Sequence, residues 1–360
     1  PLQVMEKLLT MNPDGAKQTC TDHYSNGLLP LHLAAKYNVS LDVLNILLAS
    51  FPDGAKATDK SNKLALHYAT TNHASFELVA RLLELYPDGA KEKDESGRLL
   101  LHHATANQAP LCVVNILLTV YPEAAADKDK KRQLPLHHAM LNQASVEVVQ
   151  RLLEAYPNGA KEKSIDYSTK GMLPIHIAAK KQASLKIIES LLAVYSDGAK
   201  DKDKESRLAL HHACSNQASL EVVERLLAEF PDGAKEMDNK SKLALHHATR
   251  SQAPVKIVDR LLATYSDGAK AKDKKSKLPL HHAAEKSASL EVIEILLAAY
   301  PDGAKEKDKY GNLPLHHAME RKVPEIVELL NTAHPAAKAF MDIIVAIKAN
   351  DWRRVLNRLA

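Results

Sequence analysis

The 360-residue sequence has little of what marks a catalytic, secreted or membrane protein. Aromatic residues make up 4% of it, with one tryptophan, which leaves few rings to stack on nucleic-acid bases. Three cysteines, Cys20, Cys112 and Cys214, are odd in number and widely spaced, so the expectation is free thiols in a reducing compartment. Apolar runs stay well short of the 18 or so residues of a membrane helix, and the opening residues do not read as a secretory h-region. Neither sign of charge dominates: 48 basic residues stand against 44 acidic ones, for a formal charge of +4, which argues against nucleic acid as the partner. Phosphate-cradling loops of the GxGxxG or GxxxxGK[ST] type are missing, as are a GxSxG elbow, HExxH and CxxC. Enzyme activity therefore has no residues to rest on, and no cofactor is expected.

What the sequence does have is one unit copied many times. A histidine recurs at His32, His67, His102, His137, His176, His211, His246, His281 and His316, in steps of 35 residues with a single step of 39. Self-similarity at such a period marks a stacked array and overrides the two or three globular domains that the length would otherwise suggest. Leu208 to Lys242 represents the unit. Leu210, Ala213 and Cys214 form one apolar stripe on a first helix of about ten residues. Pro135, Pro279 and Pro314 open the same helix in other copies, where a missing N–H costs nothing. Ser219 reads as the N-cap of a second helix with Leu220, Val223, Leu226 and Leu227 on its buried face and Glu221, Glu224 and Arg225 outside. Phe230-Pro231-Asp232-Gly233 stops that helix in a tight turn, and the polar residues up to Lys242 form an exposed finger. Eight aromatics share the stop position, from Phe51 to Tyr300, which points to packing between repeats.

This unit resembles the ankyrin repeat, on its LPLHHA or LALHHA start, its EVVxxLL second helix and the polar finger that follows. The resemblance implies an all-α, curved and elongated solenoid of helix-turn-helix repeats that binds proteins. The tetratricopeptide array is a weaker match, because its Trp, Gly and Tyr positions are absent. Nine full repeats are expected over 29–337, starting near 29, 64, 99, 134, 173, 208, 243, 278 and 313, after a partial repeat at 1–28. Leu2 to Gly15 match a second helix with its stop, as expected of a segment from a longer array. Residues 338–360 read as a C-terminal capping helix pair, with the start of another domain as the competing view. The repeats depart from the family in their period of 35 rather than 33 and in leucine where threonine usually precedes Pro-Leu-His. That removes the hydroxyl which, in the family, ties the histidine within its own repeat. The resemblance gives the nine periodic histidines a hydrogen-bonding role between repeats.

The second histidine of the pair is the less ordinary one. His103, His138, His212, His247, His282 and His317 fill six of nine copies, and Leu33, Tyr68 and Ile177 the others. Asn107, Asn142 and Asn216 follow four residues behind three of them, on the same helix face. Stacked, these residues make a row along the inner helices, open to three readings: a semi-buried polar ladder, a partner-binding stripe, or a metal site of converging imidazoles that lacks a carboxylate or thiolate at ligand spacing. A pH response near the imidazole range goes with the row, with stability falling below about pH 6 if the rings are buried and neutral.

The fingers are the second place to look. Those at 17–29 and 161–173 are four residues longer than the rest and share Asp, Tyr-Ser and Gly, making Asp22, Tyr24, Asp166 and Tyr167 candidate contacts. Drift or block duplication explains the same lengthening, since longer loops cost little. The expectation is a monomeric, non-catalytic scaffold for a protein partner, in the cytoplasm or nucleus, without nucleic-acid or membrane binding. The alternatives are the targeting segment of a longer enzyme and a metal- or pH-responsive histidine row.

Overall fold

The computed structural model describes residues 2–20, 27–166, 169 and 171–333. The capping pair expected at 338–360, together with Asp22, Tyr24 and Tyr167, lies outside the described residues. Among the described residues there are nineteen α-helices, nine short 3-10 helices and no strand. Two compact units divide the chain, Pro1–Gly198 and Ala199–Ala360.

The repeat at 208–242 shows the local logic. Its first helix, Ala209–Ser215, has seven residues instead of the expected ten. Asn216 ends it by donating from Nδ2 to the His212 carbonyl at 2.8 Å, and Gln217 turns the chain at φ +56°. The second helix, Leu220–Glu229, follows from Ser219 in an extended N-cap conformation. Val222, Val223, Leu226 and Leu227 are its buried face, so Val222 takes the place expected for Leu220, which is only half-buried. Each such aliphatic side chain contributes about 1.5–3 kcal/mol by leaving water. Ala213 and Cys214 are fully buried, and within each unit successive first helices pack directly on one another. Small side chains at those points let the backbones approach.

The Pro-Asp-Gly stop is a 3-10 helix, Pro231–Ala234, rather than a tight turn. Gly233 is not left-handed. A Cβ there would stand 3.2 Å from the Phe230 ring and 3.4 Å from Leu208 Cδ1, so glycine serves close approach. The eight aromatics are half-buried, and seven of them lie over the glycine of their own turn. Ala124 takes the glycine's place after Tyr121.

Fingers join their neighbours through one backbone hydrogen bond at the tip. Lys130 N–H donates to Ser96 O at 3.0 Å, Asn239 to Glu205 O at 2.9 Å and Lys274 to Lys240 O at 3.0 Å. Just beyond the tip a left-handed residue reverses the chain: Asn62, Arg132, Ser206, Ser241 or Ser276, with Gly97, Gly171 and Gly311 at the same place in other copies. A second tie comes from the glutamine between the two helices. Gln108 Nε2 donates to Asn142 O at 2.6 Å, Gln143 to Lys181 O at 2.9 Å and Gln217 to Ser251 O at 2.5 Å. Gln252 repeats the contact with Lys286 O.

Candidate partner-binding face

In five of the pairs the first histidine, His102, His137, His211, His246 or His281, bridges two layers. In His211, Nδ1 accepts the Leu208 N–H at 3.1 Å, which places the ring proton on Nε2, and Nε2 donates to the Glu236 carbonyl of the following finger at 3.0 Å. His137 does the same between Leu134 N–H and Glu162 O, at 3.1 and 2.9 Å. Leucine in place of threonine therefore costs no tie, because the leucine backbone N–H supplies it. Burial, with help from the neighbouring imidazole, pushes His102, His211 and His246 down to about 3. Burial also takes His67, His137 and His281 down to about 4.

The six second histidines face an aspartate nine residues upstream. Nε2 of His103, His138 and His212 stands 2.9, 3.0 and 2.8 Å from Oδ2 of Asp94, Asp129 and Asp203. His247, His282 and His317 pair with Asp238, Asp273 and Asp308 at 3.0, 2.9 and 3.0 Å. The other oxygen of each aspartate gathers its finger: Asp238 Oδ1 accepts the N–H groups of Lys240 and Lys242 at 2.7 and 2.9 Å. Burial pushes these carboxyls up, but the histidine and backbone donors outweigh it and hold Asp94, Asp238 and Asp273 well below the carboxylate range. The rings of His103, His138, His247, His282 and His317 also meet the first histidine of the preceding repeat edge-on, as in His211–His247 at 5.6 Å and 90°.

The row is thus inside. His212 is 1% exposed, and His247, with 11% of its side chain accessible, is the most open of the six. Asn107, Asn142 and Asn216 are half-buried caps that donate to the carbonyls of His103, His138 and His212. Asp166 is paired with Lys131 at 3.1 Å. No group of three or more His, Cys, Asp or Glu that could hold a metal occurs among the described residues.

Sequence reasoning missed the aspartate, although its signal was available. Every repeat with a second histidine has Asp nine residues before it. Tyr68 keeps the pattern, its hydroxyl donating to Asp59 Oδ2 at 2.6 Å. Where Leu33 and Ile177 replace the histidine, Cys20 and Ser164 replace the aspartate, with the same backbone bonds to Leu28 O and Met172 O at 2.9 and 3.0 Å. Both replacements coincide with the four-residue insertion. Aspartate and histidine are exchanged as a pair, because either alone leaves a buried polar group without its partner.

What faces outward lies one helical turn beyond the first histidine: Lys36, Thr71, Ala106, Leu141, Lys180, Ser215, Arg250, Glu285 and Glu320, all half-buried or exposed. A family model for ankyrin repeats matches residues 2–93, 101–204, 175–273 and 245–339. The chain belongs to the ankyrin repeat family. Ankyrin repeats are in general protein–protein interaction modules. A comparison with curated proteins returns no match. In this ankyrin chain no helix among the described residues is long and apolar enough to cross a membrane.

Proposed function

We propose that the chain is a non-catalytic scaffold that binds a protein partner through its inner helices and fingers. One observation carries this reading: the buried positions repeat almost without change, while the outward position after the first histidine runs through lysine, threonine, alanine, leucine, serine, arginine and glutamate. A constant frame with one variable row is how a rigid array encodes a specific surface. The second histidines and the three asparagines enter as the floor that fixes this face, and the variable row and fingers as the contacts. Asp22, Tyr24, Asp166 and Tyr167 on the two long fingers form a further contact region in this reading. Cysteines few in number and widely spaced, with Cys214 fully buried and its thiol pushed up to about 12 by burial, fit the reducing cytoplasm proposed as its location.

Affinity capture from a native extract, followed by cross-linking mass spectrometry, tests the reading. Cross-links to a captured protein should fall on the fingers and first helices. Cross-links confined to the outer faces of the second helices would overturn it.

A further inference from the structure

In the second unit the inner face becomes a basic cleft. Arg207, Ser215, Lys240, Lys242, Arg250 and Ser251 line a space of about 270 Å³, and it continues over the next repeat past Lys274 and Lys275. The carboxylates within it are already engaged. Asp238 and Asp273 are held by His247 and His282 and by two finger N–H groups each, and Glu285 neutralises Lys277 at 2.6 Å. Lys242 is 7% exposed, with its ammonium 3.9 Å from Asp273 Oδ2. The Arg207 Nε is buried and makes no hydrogen bond among the described residues. Arg250, Lys240, Lys274 and Lys275 are exposed. Burial holds the Lys242 ammonium below its ordinary range, and the charges of Arg250 and Lys240 add to this against the pull of Asp273 and Asp238. The site is short of negative charge.

We propose that this cleft receives a carboxylate-rich, extended segment of the protein partner, with its acidic side chains against Lys240, Lys242, Arg250 and Lys275. The proposal rests on the scaffold reading above and names the chemistry of the partner. The cations run across successive repeats instead of closing on one anion. Stacked helices lie about 8–10 Å apart, and an extended chain rises about 3.3 Å per residue, so a carboxylate every third residue matches the spacing. Tyr310, 67% exposed, stands at the finger position that Lys240 and Lys275 hold in the preceding repeats and offers an apolar neighbour for the end of such a segment. With a single exposed ring in the row and 44 acidic residues in the chain as a whole, a peptide suits the cleft better than nucleic acid does.

Fluorescence anisotropy of the full chain with a labelled decaglutamate peptide, beside a labelled ten-nucleotide oligothymidylate, decides it at 50 and 200 mM salt. Decaglutamate should bind and weaken with salt, and Lys240→Glu with Arg250→Glu should reduce its affinity at least tenfold. Lys56→Glu, an exposed lysine of the first unit, should leave it unchanged. Absence of peptide binding at 50 mM salt, an equal loss with Lys56→Glu, or tighter binding of the oligonucleotide would each overturn the proposal. Since Lys240 and Arg250 are exposed, circular dichroism of the double variant should match the parent. Protein capture that survives the double variant would reject the cleft while leaving the scaffold reading intact.

Discussion

The finger at 161–172 and the finger at 236–242 hold the same place in their repeats, yet each carries a different polar interior and a different surface. In the shorter one, Asp238 gathers the loop and receives His247, and two residues later Lys240 points a charge into the cleft. In the longer one, Ser164 replaces the aspartate beneath Ile177 and bonds the Thr169 hydroxyl at 2.6 Å, while Asp166 closes an ion pair with Lys131. One exchange thus removes a buried charge and supplies a surface one. Lys131 of the first unit thereby has a carboxylate of its own, whereas no ion pair to Lys240 or Arg250 of the cleft occurs among the described residues.

Acid probes what the two fingers share, and its effect should be the largest. His137 holds the long finger through Glu162 O and His211 the short one through Glu236 O. Both imidazoles are depressed, to about 4 and about 3, so the unfolded chain takes up protons near pH 6.5 that the folded chain refuses. Their stability is complete above 6.5 and is lost as pH falls from there toward the folded values. Between pH 7.5 and 5 each such imidazole should cost about 2 kcal/mol, seen as a falling Tm. A Tm that does not move would show these rings to be charged or exposed.

Asp238→Ala should come next. It strands His247 and two finger N–H groups, costing about 3 kcal/mol in urea unfolding, whereas Ser164→Ala, which loses the Thr169 hydroxyl and a long bond from the Asp166 N–H, should cost about 1 kcal/mol. Equal losses would erase the distinction between the two fingers. Joining Asp238→Ser to His247→Ile imports the long-finger solution, and the double variant should be more stable than the sum of its singles predicts. At the surface, Asp166→Asn should change stability by under about 1 kcal/mol and leave decaglutamate affinity unchanged, because Lys131 belongs to the first unit and the cleft to the second. The smallest effect belongs to the tip. Gly171 already fills the left-handed position of the long finger at φ +74°, and Ser241→Gly should stabilise the short one by about 0.5 kcal/mol.

The period and the two helices of each repeat were legible in the sequence, because histidine, leucine and proline recur in register. The interior chemistry was not. Reading the histidine pair along its helix put both rings on one short segment, with nothing to show that the second turns back to an aspartate across the finger. That contact spans nine residues and two conformations, beyond any helical periodicity. The Gln217 tie was hidden for a similar reason: a glutamine in left-handed backbone looks like an ordinary polar linker until its amide is seen reaching the next layer. The basic cleft is scattered over a finger, a first helix and the next finger, so a near-even total charge concealed it.

The few, separate ties between neighbouring fingers have a consequence for how such a chain can change. Helix layers must keep step with one another, but a finger held to the preceding repeat at a few separate points can lengthen between them without shifting the helices, as the repeat carrying Ser164 does while keeping His137–Glu162 O and Lys131–Asp166. Length is thus a free variable at these loops. Foreign peptides of several residues could be spliced into a fingertip and displayed there, while the helices below keep their spacing.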